Sequence, residues 1–265
     1  MRLERLFGKG RNIVIVAADH GEFDGPIPGL VNLPEALKVI TGDVDCVLLS
    51  PGMLRHCYEV FAYRGAPLAV VRLNWATTYC FKWDYRKAHT VTAMRPAEAI
   101  AEGADIALVS LTLKTGSEAT DAENIRCFSE LCWEAKRLGM PVLGEAFPPV
   151  PHEMSPDELH NWVHITSRII AEVGADFVKT YCTRDFRAVT EACPVPILAL
   201  GAEKTPREVD ALQLAARAVE AGARGVVFGR NVLQSSNPAA FARALCEVVR
   251  GGANPISAAK KYGFA

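Results

Sequence analysis

Short apolar runs alternate with amphipathic stretches along the whole chain. The runs occupy residues 13–18, 46–50, 68–74, 105–111, 141–146, 175–181, 196–201 and 225–230. Unbroken apolar runs of this length read as strands buried on both faces. Such strands, separated by helical patterns, form parallel sheets, and eight of them close a barrel. The predicted fold class is therefore α/β, a (β/α)8 TIM barrel, with residues 1–265 as a single domain. A weak internal repeat supports the assignment. Gly103-Ala104-Asp105, Gly174-Ala175-Asp176 and Gly222-Ala223-Arg224 each sit where a helix ends and a strand opens, and glycine suits the left-handed residue that such an exit requires. Ser155-Pro156-Asp157-Glu158 and Thr205-Pro206-Arg207-Glu208 each read as a helix start, with a cap, a proline at the first helical position and acid in the first turn. Two segments exceed a minimal barrel. Residues 75–95 carry Tyr79, Phe81, Trp83 and Tyr85 and read as a long loop or hairpin over the barrel mouth, and residues 254–265 read as a C-terminal arm.

Composition narrows the function classes. Half of the residues are hydrophobic, enough for a large core, and the net charge of -1 argues against nucleic acid or an anionic membrane as partner. The eight cysteines include no C-x-x-C pair, which suits free thiols in a reducing compartment. The N-terminal residues do not resemble a signal peptide and no apolar run is long enough for a bilayer, so the expected location is the cytoplasm.

In this architecture the active site is built at the C-terminal ends of the strands. Asp19, His20, Ser50, Arg72, Asn74, Thr112, Lys114, Glu145, Phe147, Lys179, Tyr181, Gly201, Lys204, Gly229 and Arg230 stand there. Lys179 is the most informative. Burial disfavours an ammonium, and a lysine made neutral attacks carbonyl carbon to form a Schiff base. The alternative is that Lys179 pairs with a carboxylate or snorkels to solvent. Asp19 and Glu145 are candidate proton shuttles, the alternative being a structural ion pair with Lys179, Arg72 or Lys114. Apolar walls would raise the Glu145 pKa and a nearby lysine would lower it, giving an expected value near neutrality. His20 could bind a substrate hydroxyl. Gly201, Lys204, Gly229 and Arg230 lie at the ends of the last two strands, where barrels commonly hold phosphate. His160 and His164 are four apart but lack the glutamate of H-E-x-x-H, so no metal ligand set is expected.

The segments Ala18-Asp19-His20-Gly21, Arg72-Leu73-Asn74, Val178-Lys179-Thr180-Tyr181, Cys193-Pro194-Val195-Pro196 and Gly229-Arg230-Asn231-Val232 resemble those of the archaeal-type class I fructose-bisphosphate aldolases and their DhnA-family relatives, which include an autoinducer-2 thiolase and an aminodideoxyheptulosonate synthase. The resemblance runs over most of the chain. It implies Lys179 as the Schiff-base residue and Asp19 beside the reacting carbons. It also implies substrate or phosphate contacts from His20, Arg72, Gly201, Lys204, Gly229 and Arg230, no cofactor beyond the covalent lysine imine, and a homo-oligomer, for which a decamer is a precedent.

The sequence departs from that pattern after the fifth run. Where the aldolases read W-x-Y-P-R-G, with the tyrosine as proton donor, this chain reads Glu145-Ala146-Phe147-Pro148-Pro149. Phe147 has no hydroxyl, and Gly201-Ala202-Glu203 replaces a Gly-Gly pair. The expected function is a metal-independent, Schiff-base lyase acting on a small phosphorylated ketose or ketone, with Glu145 or Asp19 moving the proton. Acyl transfer from a phosphorylated diketone, and a non-catalytic phosphate-binding barrel, are the alternatives.

Overall fold

The computed structural model describes residues 2–264. Of the predicted domain and arm, Met1 and Ala265 lie outside the described residues. Eight parallel strands form a closed barrel: β1 (Ile13–Ala17), β2 (Cys46–Leu49), β3 (Leu68–Arg72), β6 (Ile106–Leu111), β7 (Val142–Ala146), β8 (Phe177–Tyr181), β9 (Ile197–Leu200) and β10 (Gly225–Phe228), with β10 closing against β1. Between β3 and β6, β4 (Asn74–Ala76) and β5 (Thr90–Thr92) form a separate antiparallel hairpin. The predicted (β/α)8 barrel is the observed fold.

The runs are unbroken because each strand is covered twice. Val14, Val16, Val47, Leu49, Ala69 and Val71 point outward into the layer shared with the helices. Ile13, Ile15, Leu48, Val70, Leu108, Leu143, Phe177 and Leu198 point inward and form the barrel's own core, plugged from below by Leu6, with Phe7 edge-on to Phe177. The two faces alternate with the period of two that a strand imposes.

The Gly-Ala-Asp repeat has a structural task. Gly174 takes φ of 137°, which lets the chain leave its helix and enter β8. The following Asp176 accepts the Val142 amide at 2.8 Å, and Asp105 likewise accepts the Ala69 amide at 3.0 Å, so each carboxylate ties the start of its strand to the preceding one. In the third copy Arg224 takes the place of the acid and donates to the Arg11 carbonyl at 3.0 Å, which secures the N-terminal segment instead.

The predicted cap at Ser155 is present in full. Its hydroxyl accepts the Glu158 amide at 3.3 Å and Glu158 accepts the Ser155 amide at 2.9 Å, opening the helix Pro156–Val173. Thr205 does not cap the next expected helix. Its amide donates to Asn231 Oδ1 at 2.8 Å, its hydroxyl lies 2.8 Å from the Arg207 carbonyl, and the helix begins later, at Glu208–Glu220. The tie to a neighbouring turn prevails over the local start signal.

The C-terminal helix Pro255–Lys261 lies against the helices Glu208–Glu220 and Pro238–Gly251 of the same chain. Phe264 packs edge-on to Phe241 at 5.6 Å between ring centroids, and the Tyr262 hydroxyl reaches Glu247 at 2.8 Å.

Candidate active site

The site begins where the apolar layer inside the barrel stops. On four strands the next inward position is charged: Asp19 follows Ala17, Arg72 follows Val70, Glu145 follows Leu143 and Lys179 follows Phe177. Strand register does the rest, because Lys179 is the direct partner of Glu145 across β7 and β8. All four side chains are buried. Arg72 Nε donates to Asp19 Oδ2 at 2.8 Å, and Arg72 Nη2 donates to Glu145 Oε2 at 2.6 Å. Glu145 Oε1 faces Lys179 Nζ as an ion pair. Two cations and two carboxylates thus pair with one another away from water, which is the condition for holding charge in a low-dielectric interior. Arg72 Nη1 is left without a hydrogen-bond partner among the described residues. Lys179 meets a carboxylate, as one alternative for its burial allowed, and a carboxylate is also the partner that proton-transfer chemistry needs.

Glu145 differs from the expectation of a near-neutral carboxyl. Burial raises its pKa, but Arg72 and then Lys179 outweigh burial and hold it below the ordinary glutamate value. The guanidinium, supplied from β3, is the charge that the near-neutral expectation, built on apolar walls and a lysine alone, does not include. Asp19 is held at about 2: burial opposes ionisation, and Arg72, Lys179 and His20 overcome it. Both acids are therefore bases at neutral pH.

A cavity of about 450 Å³ opens above this cluster. Asp19, His20, Arg72, Glu145, Lys179, Gly201, Lys204, Gly229 and Arg230 all line it, so the candidate residues read from the sequence converge on one place. Lys114 is not among its lining residues. It takes φ of 62°, and its amide donates to Asp121 in a turn. Thr112 donates to the Phe147 carbonyl at 2.8 Å, and the Asn74 amide group brackets the Ser110 backbone at 2.7 and 2.8 Å, so these two strand-end residues fasten loops.

His20 is half-buried, and the loss of water around its ring pushes its pKa down to about 4, against the pull of Asp19. It is a neutral imidazole at pH 7, and its Nδ1 has no hydrogen-bond partner among the described residues. Gly229 lies against this ring: a Cβ there would stand 2.3 Å from His20 Cε1 and 2.5 Å from the Ala17 carbonyl oxygen. The glycine is required by the close approach of the β1 turn. Gly201 is likewise crowded by the Phe228 ring, and its amide is bonded to the Val227 carbonyl at 3.1 Å. Arg230 Nη2 reaches the Ala202 carbonyl at 3.1 Å while its Nε is buried without a protein partner among the described residues. Lys204 Nζ stands 3.7 Å from Glu208 Oε1. These two side chains supply the positive charge at this end of the cavity.

Three contributors are not evident from strand ends. Tyr79, in the segment between β4 and β5, sends its hydroxyl to Glu145 Oε2 at 2.6 Å. The only sequence sign was an aromatic-rich excursion placed over the mouth. Asn231 donates to the Gly201 and Glu203 carbonyls at 2.8 and 3.0 Å and so locks the β9 turn to the β10 turn. Glu22, beside Arg72 and Asp19, has one buried carboxyl oxygen without a partner among the described residues, and burial pushes its pKa up to about 8.

Among the described residues no cluster of His, Cys, Asp and Glu is arranged to hold a metal ion, and His160 Nδ1 pairs with the Thr183 hydroxyl at 2.9 Å. No helix among them is long and apolar enough to cross a membrane.

A Saccharolobus solfataricus protein described as an uncharacterized aldolase is 32% identical over 261 residues, covering 96% of this chain and 95% of its own. The 3-hydroxy-5-phosphonooxypentane-2,4-dione thiolase of Klebsiella pneumoniae is 35% identical over 255 residues, covering 96% of this chain and 81% of its own. The solved structure of a Schiff-base-forming fructose-1,6-bisphosphate aldolase superposes with a TM-score of 0.77 at 26% identity, over 94% of this chain and 98% of that one. The model of the DeoC/LacD family aldolases matches residues 13–235. With the barrel, the inward lysine and this match together, the chain belongs to the DeoC/LacD family of aldolases and is an enzyme of the lyase type.

Proposed function

We propose that the chain is a class I aldolase-type lyase that acts on a small phosphorylated ketone or ketose through an imine at Lys179, with no other cofactor. The observation that carries the reading is the Lys179–Glu145 ion pair at the floor of a charged cavity. Glu145 takes the ammonium proton, and the neutral amine adds to the carbonyl carbon. The carbinolamine oxygen is protonated and leaves as water, giving an iminium. For cleavage, a carboxylate removes the proton from the hydroxyl on the far carbon of the scissile bond, the carbon β to the iminium. The bond pair flows into the iminium, an aldehyde departs and an enamine remains. The protonated carboxyl returns its proton to the enamine carbon, and water hydrolyses the imine to ketone and lysine. Glu145 is the first choice for this shuttle because, among the described residues, it is the carboxylate ion-paired with Lys179, and Asp19 is the second. Arg72 stabilises both anions. Lys204 and Arg230 would hold the phosphate, with His20 free to bind a substrate hydroxyl.

Incubation with dihydroxyacetone phosphate and borohydride, read by peptide mass spectrometry, should add the reduced ligand to Lys179. Labelling of Lys114 or Lys204 in its place would refute the assignment. Acyl transfer is the second reading, supported by the thiolase relative, and accumulation of an acylated acceptor would mark it. We also propose a cytoplasmic homo-oligomer, on the resemblance to ring-forming aldolases, and a sedimentation value of a monomer at micromolar concentration would dismiss it.

A further inference from the structure

The segment between β4 and β5 places a phenol where no strand end supplies one. Tyr79 is 7% exposed and lines the cavity. Its hydroxyl donates to Glu145 Oε2, the oxygen that also accepts Arg72 Nη2, each at 2.6 Å. The other oxygen, Oε1, faces Lys179. Both donors from the side thus converge on one carboxylate oxygen and leave the other to the lysine.

The tyrosine is itself clamped. Its ring lies 4.4 Å from Phe147 and 4.6 Å from Phe23 between centroids, and the Arg72 guanidinium sits 4.7 Å above it. Thr78, the preceding residue, donates to the Pro148 carbonyl at 3.0 Å, which pins the segment to the loop leaving β7. Phe147 thus forms a wall for a phenol that arrives from another loop. The charged and titratable groups that face Glu145 are Arg72 from β3, Lys179 and Tyr181 from β8, Asp19 after β1, and Tyr79. Of these, Tyr79 is the only uncharged donor bonded to the carboxylate.

We propose that Tyr79 is a positioning residue for the lysine–carboxylate pair: it fixes the roll of Glu145 so that Oε1 alone exchanges the proton with Lys179 and substrate, and it stabilises the carboxylate form of that base. The proposal rests on the Schiff-base reading above. The phenol keeps its proton throughout. Burial and the adjacent Glu145 charge raise its pKa well above the ordinary tyrosine value, so it acts as a donor.

The test removes one oxygen. Tyr79→Phe keeps the ring and its packing. A hydrogen bond to a charged group is worth about ten- to a hundredfold, so turnover should fall by about that factor with KM little changed. Borohydride trapping at Lys179 should persist. The acidic limb of the turnover–pH profile should move to higher pH, because a carboxylate that loses a donor is protonated sooner. Substitution of residue 79 by 3-fluorotyrosine, a better donor, should move that limb the opposite way and serves if the phenylalanine variant does not fold. Adding Tyr79→Phe to Glu145→Gln should cost little more than Glu145→Gln alone, since Tyr79 acts through Glu145. Trp83→Ala, on the exposed part of the same segment, should leave the profile in place. Wild-type turnover with an unmoved acidic limb in Tyr79→Phe, or full additivity in the double variant, would overturn the proposal. Failure of the wild-type protein to trap any phosphoketone would instead overturn the Schiff-base reading, and this assignment with it.

Discussion

The lower and upper halves of the barrel interior are built from the same strands and have opposite chemistry. Below, Leu143, Phe177, Val70 and Leu198 fill the barrel with hydrocarbon, sealed by Leu6 and Phe7. One inward step higher, about 6.6 Å along a strand, Glu145, Lys179, Arg72 and Asp19 fill it with charge. The lower layer gains its stability from area removed from water. The upper layer gains little net stability, because the desolvation of four ions offsets much of their mutual attraction. The contrast assigns the layers different tasks: the lower one supports the barrel, and the upper one holds an amine against a carboxylate where water is scarce.

The largest effect should come from the centre of the upper layer. Lys179→Met should keep the fold, since Glu145 retains Arg72 and Tyr79, but abolish imine trapping and lower turnover by about 10⁴-fold or more. In the lower layer, Phe177→Ala should instead cost about 3–5 kcal/mol of stability by leaving a cavity, measured by urea denaturation, while the remaining folded protein still traps the imine. Arg72→Met tests whether the upper layer is stable only as a set. It strands the buried Asp19 carboxylate and leaves Glu145 with Lys179 and Tyr79 only. Breaking a buried pair costs about 3–5 kcal/mol, so both stability and turnover should suffer. Near-native stability in Arg72→Met would mean that the cluster rearranges easily.

At the edge of the upper layer, Arg230→Ala should raise KM for phosphorylated substrate about ten- to a hundredfold and change it little for the dephosphorylated analogue. Equal losses would assign Arg230 a structural part, through its bond to Ala202. The smallest effect is a pH dependence at Glu22. Its folded pKa is raised to about 8 from an ordinary 4.5. The folded state therefore keeps a proton that the unfolded state has lost, and stability falls as pH rises through that window. Glu22→Gln should remove this decline, so its urea midpoint should gain on the wild type between about pH 5 and pH 8. A constant difference across that range would show that Glu22 is hydrated when folded.

The sequence alone determined the strands and the place of Lys179, Glu145, Asp19 and Arg72 at or just beyond their C-terminal ends, because a short apolar run and the polar residues that close it are local features. It also placed the cap at Ser155, which depends on residues within one turn. Tertiary structure decided the rest. Glu145 is a low-pKa carboxylate because Arg72, 73 residues away, reaches it across the barrel. Tyr79 meets Glu145 over a separation of 66 residues, and Asn231 takes Thr205 away from the helix it was expected to cap. Such contacts arise only when eight strands close and their exit loops fold over one mouth. Periodicity and capping rules report the few residues around each position, and carry no information on which distant loop will come to rest above it.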